Sequence, residues 1–278
     1  MTLSHSPAPE HELDASGSPP ATAAPSYAGY SHIGQRSSND DRWAADPTQG
    51  LYVVADGVGI ASGGGLAAQL VTELLPTYLP RHLSGADLSG PDAAPLLGNA
   101  VARLSDDLHA RGETEPGLAE AHTTVVAAVI TASRAVIAHL GDSRAYLYRD
   151  HRAHRLTSDH SLVESLIGAG EITPAEAADH PMRSMVTRHV GMTPPASPDV
   201  CGVDLLPGDR MLLCTDGLHD VVDDSSLAAV LATHPDPTQA CAALIEAANQ
   251  AGSPSNTTAV VVDIPTAAPE FQRLQRAV

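Results

Sequence analysis

The chain has 278 residues, and its 33 acidic side chains outnumber its 15 basic ones, giving a formal net charge of -18. Every basic residue is an arginine, so a lysine Schiff base and a phosphate-binding loop that ends in Gly-Lys are both excluded. The acidic excess argues against nucleic-acid binding, whereas it suits divalent cations and basic partners. Because only 3 % of the residues are aromatic, we expect a core of Val, Leu, Ile and Ala.

The cysteines and the apolar runs indicate the compartment. Three cysteines lie far apart without a C-x-x-C pair, which predicts reduced thiols and not a disulfide framework or a zinc site. No signal-peptide pattern is visible, and no apolar run approaches the roughly 18 residues of a membrane helix. We therefore predict a cytoplasmic protein without membrane contact.

The folded part of the chain is predicted to be a single domain at 27–264. Pro, Ala and Ser dominate residues 1–26 without apolar periodicity, which predicts a disordered leader. A similar composition returns at 265–278, which we interpret as a C-terminal tail. Strands are predicted at 27–33 and 51–55, followed by helices at 65–78 and 96–110 with a Ser/Gly/Pro-rich linker at 84–91.

The second half of the domain begins with a run of strands, predicted at 123–131, 135–140 and 144–148. A mixed segment at 158–191 follows, with short helices at 161–168 and from Pro174, which has Thr173 as its cap. Strands at 200–205 and 210–214, helices at 225–233 and 238–251, and a strand at 258–264 complete the order. Runs of strands followed by paired helices predict an α+β sandwich with helices outside central sheets.

Aspartates stand where several of these strands end. Asp56, Asp142 and Asp216 each follow an apolar strand and have a glycine beside them. Because an unpaired buried carboxylate is costly, such groups are expected to converge on a cation, and all-oxygen ligands suit Mg²⁺ or Mn²⁺. A single Asp-Gly pair is more often only a turn. Two such pairs after apolar strands, with Asp40 and Asp41 upstream, favour a metal site.

Arg36 lies just before the Asn39-Asp40-Asp41 cluster. The planar fork of donors on its guanidinium suits a phosphate oxygen. A surface arginine paired with a neighbouring aspartate remains an alternative interpretation.

The motifs resemble, in their order, those of the metal-dependent protein phosphatases (PPM or type 2C) in their bacterial serine/threonine form. The resemblance covers residues 27–264. It rests on Arg36-Ser-Ser-Asn39-Asp40-Asp41, Ala55-Asp56-Gly57-Val58-Gly59, Thr123-Thr124, His139-Leu-Gly141-Asp142-Ser143-Arg144, Asp159-His160-Ser161, Ile172-Thr173-Pro174 and Thr215-Asp216-Gly217-Leu218.

This resemblance implies a four-layer α-β-β-α sandwich with two to three Mn²⁺ or Mg²⁺ ions at one end. It implies that Asp56 bridges two metals, that the Gly57 carbonyl and Asp40 serve the second metal, and that Asp41 supports them. Asp216 would serve the first metal and, with Asp142, a third. The catalytic set would be Arg36, which binds the substrate phosphate, with Asp56 and Asp216.

The remaining site positions differ in how well they fit the family pattern. Ser255 stands where the family has an aspartate ligand of the first metal, and we expect it to be a weak ligand. Asn256 beside it would hold the metal ligands in place without binding a metal itself. His160 and Ser161 lie in the flap, about 158–191, and are predicted to contact the substrate. The segment Ile60–Gly65 lacks the polar groups that the family places there.

The resemblance implies hydrolysis of phosphoserine and phosphothreonine in proteins by a metal-activated water. The partners would be phosphorylated proteins, including a Ser/Thr kinase or its substrates, and the protein would be a monomer. A pseudophosphatase that binds a phosphoprotein without turnover is the alternative, supported by Ser255 and the altered segment at 60–65. A regulator phosphatase of the anti-anti-sigma type is a third hypothesis.

Overall fold

The computed structural model describes residues 25–59, 63–79, 93–119 and 121–266. The predicted linker at 84–91 lies outside the described residues, as do nearly all of the predicted leader and tail. In the part of the chain that is described, no helix combines the length and the apolar character needed to cross a membrane.

Two antiparallel sheets of five strands each form the centre of the described structure. In spatial order, the first sheet contains β1 (Ser26–His32), β12 (Thr257–Asp263), β11 (Arg210–Cys214), β8 (Arg144–Arg149) and β9 (Arg152–Arg155). The second contains β10 (Asp199–Asp204), β7 (Arg134–Leu140), β6 (Val125–Ile130), β3 (Leu51–Ala55) and β2 (Arg42–Asp46). A short ladder pairs β4 (Gly57–Val58) with β5 (His122–Thr123).

Helices cover the outer faces of both sheets. On the second sheet lie α1 (Gly63–Tyr78) and α2 (Ala93–Thr114), the latter followed by a 3₁₀ turn at Pro116–Leu118. On the first sheet lie α6 (Asp224–Thr233) and α7 (Pro237–Gln250), while the one-turn helix α5 (Asp216–His219) follows β11 directly. Between β9 and β10 the chain carries α3 (Leu162–Gly168) and α4 (Pro174–Ala178).

Aliphatic side chains fill the space between the two sheets, as the composition predicted. This inner core includes Val54, Val126, Ile137, Leu213 and Val260, all with 0 % of their surface exposed. One further core lies between each sheet and the helices that cover it. The structure thus has helix, sheet, sheet and helix layers, which confirms the predicted α+β sandwich.

Several short elements were not predicted, and three of them have a weak sequence signal. Strand β2 is an edge strand whose residues are all half-buried, and β9 is an edge strand with the sequence Arg-Ala-His-Arg. Helix α5 has one turn and begins at an Asp-Gly pair, which alone predicts a turn. The capping box at Thr173 and Glu176, by contrast, starts α4 where the sequence predicted.

Candidate metal and phosphate site

Four aspartates converge at one end of the sandwich. Asp56 follows β3, Asp142 follows β7 after one glycine, and Asp216 follows β11 after one threonine. Asp41 immediately precedes β2 and is 1 % exposed. The paired strands of the two sheets end together here, so side chains far apart in sequence reach a common space.

The carboxyl groups of this cluster raise one another's pKa. Burial is the largest cause for each, and the charges of neighbouring aspartates raise the pKa further, while hydrogen bonds from Thr258 and Thr215 lower that of Asp41 in part. Asp41 is raised to a pKa of about 7 and Asp142 to about 8, and the pKa of Asp56 is raised well above its usual range. The pKa of Asp216 is also raised, by burial and then by Asp220. A divalent cation among these groups would offset the repulsion.

Two oxygens of the cluster have no hydrogen-bond partner among the described residues. Asp41 accepts hydrogen bonds on Oδ2 from Thr215 (2.9 Å) and Thr258 (2.7 Å), while its buried Oδ1 accepts none. Oδ1 of Asp216 is likewise buried without a partner. Because buried polar atoms are almost always satisfied, these oxygens fit a bound cation, and hard oxygen ligands suit Mn²⁺ or Mg²⁺.

The Thr-Thr pair fixes the main chain of Asp56. Thr124 donates its N–H to the Asp56 carbonyl at 2.8 Å, and Thr123 donates its hydroxyl to the same oxygen at 2.7 Å. In return, the Asp56 N–H donates to Thr124 Oγ1 at 3.1 Å. The sequence motif contained these threonines but did not show that they orient the aspartate. Gly57 comes so close to Gly64 that a Cβ would lie 2.4 Å from the Gly64 carbonyl carbon, which requires glycine here.

Asn256 joins the N-terminal segment of the site to the loop before β12. Its Oδ1 accepts the Asp40 N–H at 2.9 Å. Its Nδ2 donates to the carbonyls of Ile33 and Ser38, each at 2.8 Å. Asp40 thus lies at the cluster with its main chain held, and its Oδ2 accepts from Ser38 Oγ at 3.1 Å.

Arg36 lies on the loop between β1 and β2 and reaches the loop before β12. Its Nε donates to the Pro254 carbonyl at 3.0 Å, and its Nη2 donates to Ser255 Oγ at 3.2 Å. The structure therefore places the predicted phosphate-binding arginine and the predicted weak metal ligand in direct contact. Sequence spacing carried no signal for this contact, because 219 positions separate the two residues.

His160 and Ser161 help to hold the flap in this structure, Ser161 also lines the cavity beside the cluster, and their contact with the substrate stays a prediction. They are 2 % and 3 % exposed. His160 Nδ1 accepts the Gly141 N–H at 3.1 Å, and its ring stacks on His139 at 4.5 Å. Burial, then His139, lowers the pKa of His160 to about 4, so the ring is neutral at pH 7. Ser161 caps α3 by accepting the Glu164 N–H.

A cavity of about 270 Å³ lies between the flap and the acidic cluster. On its walls, Arg144 makes a two-pronged ion pair with Asp159 at 2.9 and 2.6 Å, and Arg183 lies 3.3 Å from Asp220. Asp142 and Asp216 also line it. The cavity is large enough for a phosphorylated side chain next to the carboxylates.

The chain matches known proteins over most of its length. The family model described as protein phosphatase 2C matches residues 28–252. The serine/threonine protein phosphatase PstP of Mycobacterium tuberculosis is 36 % identical over 230 residues, which is 82 % of this chain but only 43 % of PstP. The serine/threonine phosphatase stp of Listeria monocytogenes is 31 % identical over 77 % of this chain and 84 % of its own.

The fold has close counterparts among solved structures. The catalytic domain of PstP in complex with two manganese ions superposes with a TM-score of 0.72 at 34 % identity, covering 85 % of this chain and 96 % of that one. The predicted sandwich fold and a family that uses Mn²⁺ or Mg²⁺ are thereby confirmed. The chain belongs to the protein phosphatase 2C family.

Proposed function

We propose that this chain is a Mn²⁺- or Mg²⁺-dependent protein phosphatase that hydrolyses phosphoserine and phosphothreonine in proteins. The carrying observation is the convergence of Asp56, Asp142 and Asp216, with an unpartnered buried oxygen on Asp216, at the end of the sandwich where Arg36 also lies. Family membership supports the class of reaction. Because the chain spans less than half of PstP, its own activity and substrates are part of this proposal.

The carboxylates and one carbonyl would hold the ions. Asp56, Asp216 and Asp142 are proposed as direct ligands, together with the Gly57 carbonyl and Asp40. Asp41 is proposed to support them, because two threonine hydroxyls already fix one of its oxygens. When bound, the ions supply an activated water and neutralise charge on the phosphate.

The chain's own residues position the phosphate and its surroundings. Arg36 would bind a phosphate oxygen through the guanidinium N–H groups that its bonds to Pro254 and Ser255 leave available. The Thr123–Thr124 clamp on the Asp56 main chain keeps the carboxylate oriented before substrate arrives, which reduces the reorganisation needed in the transition state. The flap, about 158–191, would cover the bound side chain, because the cavity beside the cluster has α3 and α4 on one wall.

The test is hydrolysis of a phosphothreonine peptide with and without millimolar Mn²⁺. We expect turnover that requires the metal and that falls at least about 1,000-fold in both Asp56→Ala and Asp216→Ala, as the loss of metal-ion catalysis implies. Asp204→Ala, which removes an exposed carboxylate far from the site, is the matched control and is expected to retain activity. Metal-independent turnover in wild type would contradict the proposal.

A second candidate function is phosphoprotein binding without turnover. The observation behind it is Ser255, a neutral residue at the position of an expected aspartate ligand. In this case wild type would bind the phosphopeptide and fail to hydrolyse it at any Mn²⁺ concentration, and Ser255→Asp would gain activity. Turnover by wild type would rule this candidate out.

The partners and the setting follow from the proposed reaction. We propose phosphorylated proteins as substrates, among them a Ser/Thr kinase or its targets, and a monomeric, cytoplasmic protein. The domain is proposed to span 27–264, with substrate choice located in the flap. Co-purification with phosphorylated kinase and mass measurement in solution test these assignments.

A further inference from the structure

The positive charge of Arg36 is not neutralised by a carboxylate among the described residues. Its two hydrogen bonds go to neutral oxygens, the Pro254 carbonyl and the Ser255 hydroxyl. Eight other arginines in the described ranges pair with Asp or Glu: Arg111, Arg134, Arg144, Arg149, Arg155, Arg183, Arg188 and Arg210. Among the described arginines, Arg42 likewise bonds only to neutral oxygens, the carbonyls of Asn39 and Asp41, so Arg36 belongs to a minority in a chain of net charge -18.

The hydroxyl of Ser255 adds a second donor beside this guanidinium. Ser255 Oγ accepts from Arg36 Nη2, and among the described residues no acceptor is recorded for its own proton. A hydroxyl has one proton and two lone pairs, so accepting from arginine leaves that proton available. Together, Arg36 and Ser255 offer an anion the remaining N–H groups and one O–H group.

This pair lies next to the acidic cluster. The following residue, Asn256, accepts the Asp40 N–H, and its carbonyl lies against Gly217, the neighbour of Asp216. A group held between Arg36 and Ser255 would therefore face the carboxylates and any cations they bind.

The same contact argues against Ser255 as a metal ligand. Its oxygen uses one lone pair on a guanidinium, and the positive charge 3.2 Å away opposes the approach of a divalent cation. A neutral hydroxyl is also a weaker ligand for Mn²⁺ or Mg²⁺ than the carboxylates that these ions prefer.

We propose that Ser255 binds the phosphate of the substrate together with Arg36 and is not a ligand of the metals. The inference rests on the proposed function, which assigns the phosphate to Arg36. It adds that this position, where the family has a metal ligand, binds the phosphate in this chain.

The experiment measures binding of inorganic phosphate to the Mn²⁺-loaded full chain by calorimetry, together with the number of bound Mn²⁺ ions. Ser255→Ala is expected to weaken phosphate binding about 10-fold, the effect of losing one hydrogen bond to a charged group. Ser255→Thr keeps the hydroxyl and is expected to bind within about 3-fold of wild type. Ser225→Ala, which removes an exposed hydroxyl at the start of α6, is the matched control.

Ser255→Asp is expected to weaken phosphate binding and to strengthen Mn²⁺ binding. The new carboxylate would pair with Arg36 and repel phosphate, so phosphate binding is expected to fall about 100-fold or more. Mn²⁺ content in Ser255→Ala is expected to equal that of wild type. A fall in Mn²⁺ content or affinity in Ser255→Ala would overturn the inference.

Arg36→Ala separates this inference from the proposed function. Weaker phosphate binding in both Arg36→Ala and Ser255→Ala supports the shared site. Weaker binding in Arg36→Ala alone overturns the role of Ser255 and leaves the proposed function intact. Unchanged binding in both variants overturns the assignment of phosphate to Arg36 as well.

Discussion

The two sides of the candidate site differ in the charge they present. On the side under the flap, Asp142 and Asp216 line the cavity, and burial, followed by the charges of neighbouring carboxylates, raises the pKa of each. On the side formed by the β1–β2 loop and the loop before β12, Arg36 and Ser255 present only N–H and O–H groups in addition to main-chain atoms. One side therefore suits cations and the other suits an anion.

The two sides are also held in place in different ways. The cation side is built from aspartates at strand ends, and the sheets bring them together without further devices. The anion side is built from loops, and Asn256 holds these loops in place with three hydrogen bonds. A substitution on the cation side is expected to have the largest effect on free energy. Removal of the Asn256 side chain, which supports the anion side, should have a smaller effect, and a change at the attachment of the flap the smallest.

Asp216→Asn should affect the cation side most strongly. We expect Mn²⁺ affinity to fall at least 100-fold, about 3 kcal/mol, because a direct ligand loses its charge. The metal-free variant should also be more stable than metal-free wild type, since one member of a repelling buried cluster is neutralised. Thermal unfolding with and without Mn²⁺ measures both effects. A wild-type-like Tm increase with Mn²⁺ in the variant would contradict this assignment.

Asn256→Ala should destabilise the two loops of the anion side. The substitution removes one acceptor and two donors and leaves the Asp40 N–H and two carbonyls without their partner. We expect the free energy of unfolding to fall by about 2–3 kcal/mol, measured by urea denaturation. The matched control is Asn99→Ala on the exposed face of α2, which is expected to change stability by less than about 0.5 kcal/mol.

Protonation of His160 should lower the stability of the flap as the pH falls, and this effect should be smaller than the two above. Its pKa in the folded protein is about 4, below the ordinary value of 6.5, so the folded state resists protonation. The stability that it contributes is complete above pH 6.5 and is lost as the pH falls toward 4. The charged or titratable groups around it are His139, Arg188 and Asp199.

Hydrogen exchange in residues 158–191 at pH 7 and pH 5 measures this effect. We expect weaker protection at pH 5, expressed relative to the intrinsic exchange rate at each pH, because protonation of Nδ1 replaces an acceptor of the Gly141 N–H with a second donor. His160→Gln retains an acceptor and does not titrate, so its flap should change less between the two pH values. An equal change in both proteins would show that other groups control the flap.

The sequence predicted the layers of the fold and the aspartates at its strand ends, because apolar periodicity and strand-end polarity are local patterns. It missed β9, whose Arg/His/Ala pattern has no apolar face, although pairing with β8 forms the strand. Its motifs predicted that His160 contacts the substrate, which stays a prediction, and they carried no signal for the packing of this ring against His139. The contact between Arg36 and Ser255 requires the folded arrangement of two loops from opposite ends of the domain.

Gly217 affects which anions would fit between the cation side and the anion side. A Cβ at this position would lie 1.9 Å from the Asn256 carbonyl oxygen, so two main-chain segments are in contact there. One segment carries Asp216 and the other carries Ser255. The gap between the cation side and the anion side is therefore set by backbone contact, which side-chain rotation does not change. A gap of fixed width would favour a tetrahedral anion of one size and would leave the recognition of the surrounding protein to the flap.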